Sequence, residues 1–156
     1  LCEIKEDNPS LNIISIDQFN DIRLLDYDLV IVDTPPYLSN RLPELFHISD
    51  YVLIPTKAGF FDVMAIRSTI HLVNEAIIKN TKLKSGIVLN MIKHRSSITE
   101  EVKDLLSSFG TPLLNTMIYD RVSFSRSPIT GGVLNGDDEK AKEEISSLAE
   151  EIVNML

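Results

Sequence analysis

The segment Tyr27-Asp28-Leu29-Val30-Ile31-Val32-Asp33-Thr34-Pro35-Pro36 holds four consecutive aliphatic residues, closed by a carboxylate and two prolines. An unbroken aliphatic run suits a strand buried on both faces, as in a parallel sheet covered by helices. Ile87-Val88-Leu89 repeats the pattern. Five such stretches read as strands: Leu11–Ile16, Leu29–Asp33, Tyr51–Ile54, Gly86–Asn90 and Leu113–Ile118.

Helical patterns alternate with them. Asp62 reads as the N-cap of a helix whose stripe is Val63, Ile66, Ile70, Val73 and Ile77. Ser97 and Glu100 form a capping box ahead of Val102, Leu105, Leu106 and Phe109, with Gly110 as the stop. The last segment places Ala141, Ile145, Leu148, Ile152 and Met155 on one face, with Glu143, Glu144, Glu150 and Glu151 on others. Phe60-Phe61 reads as core packing, and His71 as a surface or boundary residue. The stretch Ser123–Asp138, with Gly131, Gly132 and Gly136, reads as the longest irregular loop. Strands alternating with helices imply an α/β fold, a doubly wound and mostly parallel sheet with flanking helices. With 156 residues and no repeat or linker, residues 1–156 read as a single domain.

Charge narrows the function classes. The net charge of -8 argues against a general coat for nucleic acid. The distribution is uneven: residues 1–50 carry -7, residues 51–95 carry +5. No carboxylate lies between Ala76 and Thr99, where Lys79, Lys82, Lys84, Lys93 and Arg95 are all basic. That stretch is either a solvated helix end and loop or a local phosphate-contacting patch, and spacing does not decide between them. The single cysteine, Cys2, excludes an internal disulfide and a Cys-based metal site. His47, His71 and His94 are too scattered to suggest a metal site. The longest apolar runs are too short to cross a bilayer, and the charged N-terminus lacks a signal-peptide core. A cytoplasmic domain is expected. The first residue is Leu, which suggests a fragment or a processed product.

In an open α/β sheet, ligands sit at the carboxyl ends of the strands. The 29–33 strand would deliver Asp33 there, and Pro35-Pro36 would end the ladder and force Thr34 into extended geometry. A carboxylate so placed either holds a hydrated Mg2+ or caps a turn. Asn90 ends another strand; its amide donates and accepts at once, matching the N6/N7 edge of adenine, or it caps a turn. Lys57, after Pro55-Thr56, is a phosphate contact or a solvated side chain.

Together, Tyr27–Pro36, Ser49–Pro55, Gly86–Asn90, Asn115–Asp120, the Ser127–Gly132 loop and the Glu-rich closing helix resemble the ParA/MinD deviant-Walker ATPases. Within these the chain resembles the small ParA partition ATPases of plasmids and mobile elements. The likeness runs from about Leu11 onward. It implies a P-loop NTPase-like fold and ATP with Mg2+ as cofactors. It implies that Asp33 is the Walker B carboxylate acting on Mg2+ through water, with Thr34, Pro35 and Pro36 as a switch segment. It further implies that Asn90 recognises adenine beside the Tyr119-Asp120 turn. Such proteins form ATP-dependent homodimers that bind DNA without sequence preference, and a ParB-like centromere-binding partner stimulates hydrolysis at the nucleoid. Lys79, Lys82, Lys84, Lys93 and Arg95 are the DNA-contact candidates.

One motif of the family is missing. No G-x-x-x-x-G-K-[ST] occurs; the six glycines are 59, 86, 110, 131, 132 and 136. Without that backbone cradle and lysine the β- and γ-phosphates lose their contacts. The fold is therefore expected to lack its N-terminal strand and helix. ATPase activity is expected of an intact parent, and weak ATP binding with negligible hydrolysis of this chain alone. The alternative is a truncated scaffold or partner-binding module without ATPase activity. A relative of amidoligases or dethiobiotin synthetase would need an acid/base cluster beyond Asp33. An iron–sulfur carrier would need more cysteines than Cys2.

Overall fold

The computed structural model describes residues 19–34, 40–94 and 98–156. The expected strand Leu11–Ile16, together with Pro35, Pro36, Arg95 and Ser97, lies outside them. A 3-10 turn spans Phe19–Leu24. Then follow α1 (Leu42–Ile48), β1 (Tyr51–Thr56), α2 (Phe60–Lys79), β2 (Lys84–Ile92) and α3 (Ile98–Ser107). The chain continues through β3 (Leu113–Tyr119), α4 (Val122–Thr130), a 3-10 turn at Val133–Asn135, and α5 (Glu139–Val153).

Among the described residues, three strands form one parallel sheet in the order β1-β2-β3. β1 and β2 run in register from Tyr51↔Lys84 to Thr56↔Leu89. β2 and β3 pair at Ile87↔Leu113, Leu89↔Met117 and Ile92↔Tyr119, with irregular register between these points. β2 is central, and both its faces are buried. Ile87, Leu89 and Ile92 pack with Phe46, Val63, Val73 and Leu106 from α1, α2 and α3. Val88 faces the other way, against Leu114, Ile118 and Phe124 and the α5 residues Ile145, Leu148 and Ile152. The expected α/β sheet with helices on both faces is thus present, and the apolar face of the closing helix packs as its spacing predicts.

Gly86 shows how tightly the second face fits. A Cβ there would collide with the Tyr51 hydroxyl, which donates to the Met155 sulfur at 3.4 Å. Lys84 Nζ donates to the carbonyls of Met155 and Leu156, tying the end of the chain to the start of β2.

Four local expectations need correction. Residues 29–33 form no strand: Leu29 is 63% exposed, Ile31 84% and Val32 40%. Strand preference acts through neighbours, and among the described residues this run pairs with no strand of the sheet. Asp62 is not the N-cap of α2. Gly59 takes that place with extended backbone, its carbonyl accepting from Val63 N–H at 3.0 Å, and Asp62 sits in the first turn, where its charge complements the helix dipole. Phe60 and Phe61 are 61% and 85% exposed; their rings meet edge to face at 5.7 Å in that first turn, and the stripe that enters the core begins at Val63.

The fourth correction concerns the expected loop at 123–138, whose first part is the helix α4. Pro128 sits inside it and cannot donate to the Phe124 carbonyl. The Ser127 hydroxyl supplies the missing bond, donating to that carbonyl at 2.8 Å. Gly131, at φ 71°, ends the helix.

Candidate functional site

The carboxyl ends of β2 and β3 lie side by side. Ile92 is in register with Tyr119, and Asp120 N–H continues the pairing by donating to the Ile92 carbonyl at 3.0 Å. This brings Asn90, Tyr119 and Asp120 to one edge of the sheet. They do not share a face. By alternation Asn90 follows Val88 toward the α4/α5 side, whereas Tyr119 packs with Leu89 and Ile92 on the α1–α3 side. Asn90 is half-buried and Asp120 exposed.

The end of β2 is bent. Met91 has φ 54°, the only positive value outside glycine among the described residues. Its N–H donates to Oδ1 of Asn90 at 2.9 Å. Beyond the bend, the His94 ring lies flat on Tyr119, with centroids 4.4 Å apart and 4° between planes. The Arg121 guanidinium is 6.0 Å from the same tyrosine ring.

Two glutamates from α5 hold the outer edge of β3. Glu144 accepts from Tyr119 N–H at 3.0 Å and from Arg121 Nε and Nη2 at 2.9 and 2.6 Å. This bond to Glu144 is the main reason the Arg121 pKa is raised. Glu151 accepts from Asn115 N–H and Nδ2 at 2.7 and 3.1 Å, and from Thr116 N–H at 2.9 Å. Edge N–H groups of a sheet need partners, and these carboxylates supply them. A shallow cavity of about 460 Å³ runs along this seam, lined by Asn115, Thr116, Arg121, Lys140, Glu143, Glu144 and Ser147.

The seam makes stability depend on acid. Burial works to raise the Glu151 pKa, but the bonds from Thr116 and Asn115 outweigh it and the net shift is downward. Asp138 caps α5; the Ser123 hydroxyl (2.7 Å) and then Ala141 N–H (3.1 Å) lower its pKa as well. Carboxylates with lowered folded values stabilise above their unfolded pKa, near 4.5 for glutamate and 3.8 for aspartate, and lose that contribution as pH falls through the folded value. Urea midpoints are therefore expected to be flat above about pH 5 and to fall below it. Glu151→Gln should shallow that acid limb; a limb unchanged in the variant would contradict the assignment.

The other expected site residues lie elsewhere. Asp33 and Thr34 are exposed and outside the sheet. Lys79, Lys82 and Lys84 cluster at the amino end of β2, while Lys93 lies past its carboxyl end, on the order of 30 Å away along the strand. The described lysines therefore form two groups, and Lys84 is engaged by the Met155 and Leu156 carbonyls. Lys57 is exposed at the end of β1. Among the described residues, no group of three or more His, Cys, Asp or Glu could hold a metal ion. At the strand ends the Asn90 amide offers one donor and one acceptor, and Asp33 stands as a single exposed carboxylate, which would hold a hydrated Mg2+ only together with water and phosphate oxygens. Arg121, Glu144, Glu151, Met91 and His94 carried no recognisable sequence signal as site residues, although Glu144 and Glu151 stand two helical turns apart.

An open parallel sheet with helices on both faces and candidate ligand groups at its strand ends defines a P-loop NTPase-like α/β fold. The sequence profile described as "AAA domain" matches residues 2–85. The chain is 30% identical over 133 residues to maintenance of carboxysome distribution protein A of Halothiobacillus neapolitanus, covering 82% of this chain and 61% of that protein. It is 28% identical over 134 residues to the chromosome-partitioning ATPase Soj of Treponema pallidum, covering 81% and 52%. Chromosome partitioning protein ParA of Myxococcus xanthus is 26% identical over 121 residues, covering 75% and 42%. The chain belongs to this AAA-domain family and is a ParA-type member of it. It spans about two fifths to three fifths of the length of these relatives.

Proposed function

We propose that this chain is the C-terminal part, a single ParA-like domain, of an ATPase that partitions plasmids or chromosomes. The observation that carries the reading is the place of Asn90, half-buried near the carboxyl end of the central strand β2, where β3 alongside ends at Tyr119. The Asn90 amide by itself carries the paired donor and acceptor that a purine edge requires. The relatives, with partition and distribution in their names, support the same role.

In the whole protein, Asp33 is the proposed carboxylate for a hydrated Mg2+, with Thr34, Pro35 and Pro36 as its switch. ATP-dependent homodimerisation, binding of DNA without sequence preference through Lys79, Lys82, Lys84, Lys93 and Arg95, and a ParB-like partner belong to the same proposal. So does a place at the nucleoid in the cytoplasm. Among the described residues no helix is long and apolar enough to cross a membrane. The second reading, a scaffold that binds partners without nucleotide, draws on the lack of a phosphate cradle in these 156 residues.

Titration of the chain with adenosine and with Mg2+·ATP separates the two. Base recognition without a phosphate cradle predicts affinities within about threefold of each other, and a loss of about tenfold in Asn90→Ala. Absence of binding to either ligand, or an Asn90→Ala variant that binds as well as the parent, would leave the scaffold.

A further inference from the structure

We propose that the rim at the carboxyl end of the sheet, centred on the Phe60–Phe61 pair, is the surface on which a second copy of this chain docks. The inference deepens the homodimer of the proposed function and rests on that part of it, independently of Asn90. The three strands are parallel, so the segments that follow them meet at one end of the sheet, with Thr56 in register with Leu89 and Ile92 with Tyr119. Phe60 and Phe61 follow β1, Met91 stands near the end of β2, and Val122 follows β3. All four side chains are exposed: Phe60 at 61%, Phe61 at 85%, Met91 at 46% and Val122 at 73%.

Single apolar side chains scattered over a surface are ordinary, whereas several gathered at one end mark a contact site. The two phenyl rings already meet edge to face, with centroids 5.7 Å apart and 77° between planes. Both stand in the first turn of a 20-residue helix, and Val63 just after them is buried in the core, so the backbone beneath the rings is fixed. An aromatic pair held in this way loses little freedom on docking and offers on the order of 300 Å² of apolar surface per copy.

Charge points to the occupant. The chain carries -8 overall, so two copies repel one another across most of their surface. The strand-end segments 57–62, 90–94 and 120–122 differ, holding Lys57, Lys93 and Arg121 against Asp62 and Asp120. One surface thus offers both signs, and a two-fold axis through it sets the cations of one copy against the carboxylates of the other. An acidic partner would face Asp62 and Asp120, and a basic one Lys57 and Lys93. A second copy suits both.

Sedimentation of the 156-residue chain from about 1 µM to about 1 mM, with Mg2+·ATP present, tests the surface. The parent should pass from monomer to dimer across this range. Phe61→Asp puts a charge on the rim at an exposed position in the first turn of α2, where a carboxylate suits the helix dipole, so it should keep the parent's Tm. It should weaken the dimer by about tenfold or more, and Lys57→Asp, which turns the rim acidic, by about three- to tenfold. Ile31→Asp is the control: that side chain is 84% exposed outside the sheet, and its dimer should match the parent's. A dimer unchanged in both Phe60→Asp and Phe61→Asp, or one abolished by Ile31→Asp instead, overturns the rim and leaves the homodimer standing. A parent chain that stays monomeric throughout overturns the docking of a second copy and the homodimer with it, and leaves the rim to a different protein. The adenosine titration reads Asn90 separately from either result.

Discussion

Ile87→Ala is expected to lower the stability of the chain by about 2–5 kcal/mol. Ile87 is wholly buried in the middle of β2, the central strand of the described sheet. Its backbone is fixed on both sides, in register with Ile54 and Leu113, and its N–H donates to the Pro112 carbonyl at 2.8 Å. Neighbours pinned in this way cannot collapse into the space the side chain leaves, so the penalty belongs toward the upper end of that range. Ile87→Val, which removes one methylene, should cost about 0.5–1.5 kcal/mol. Ile78→Ala provides the contrast: that side chain is 80% exposed on α2, and its loss should change stability by under about 0.5 kcal/mol. Urea unfolding of the three variants checks the order. An Ile87→Ala midpoint matching that of Ile78→Ala would mean that β2 is not the centre of the core.

The same strand shows what the sequence made legible. Ile87-Val88-Leu89 is continuous because helices cover both faces of β2, and its pattern could be read without knowing its neighbours. Leu29-Val30-Ile31-Val32 carries an equally clear pattern and sits outside the sheet. The difference is the pairing: β2 is paired on both sides, and the second run pairs with no strand among the described residues. Strand sequence marks readiness to pair, and pairing is a property of what lies alongside. Phe60 and Phe61 failed for a related reason. Aromatic rings bring large apolar area, but their place in the first turn of α2 puts them ahead of the stripe that reaches the sheet.

The candidate site was legible only in its strand-end part. Asn90 stands out in the sequence because it closes an apolar run, and strand ends are where such folds place ligands; β2 itself continues to Ile92. The bend at Met91 could not, since nothing in Leu89-Asn90-Met91-Ile92 announces a left-handed residue. Basic residues gave a false unity: Lys79 to Lys93 look like one patch in sequence, yet β2 runs between them and separates them by its whole length. Distance along an extended strand grows by about 3.3 Å per residue, so a charge run that crosses a strand is divided by it.

Arg121→Ala is expected to cost about 2–3 kcal/mol, through the carboxylate it leaves behind. The side chains of Arg121 and Glu144 are only 15% and 13% exposed, and two guanidinium nitrogens reach one glutamate oxygen. After the substitution Glu144 keeps its bond from Tyr119 N–H, but its other oxygen has lost both donors in a place that water reaches poorly. Arg121→Lys keeps the charge without the fork and should recover part of the loss, to about 1 kcal/mol below the parent. Glu144→Gln added to Arg121→Ala removes the stranded charge, so the double variant should be less unstable than the sum of the single ones by about 1–2 kcal/mol. Additive single effects would show that the pair does not interact energetically. The consequence extends to the strand end, because Glu144 fixes the Tyr119 backbone while Arg121 lies 6.0 Å from its ring. Loosening that clasp should let Tyr119 shift beneath His94, and the His94 ring resonance of Arg121→Ala should move even without ligand. A resonance identical to the parent's, alongside the lost stability, would confine the clasp to the α5–β3 seam and separate it from the site.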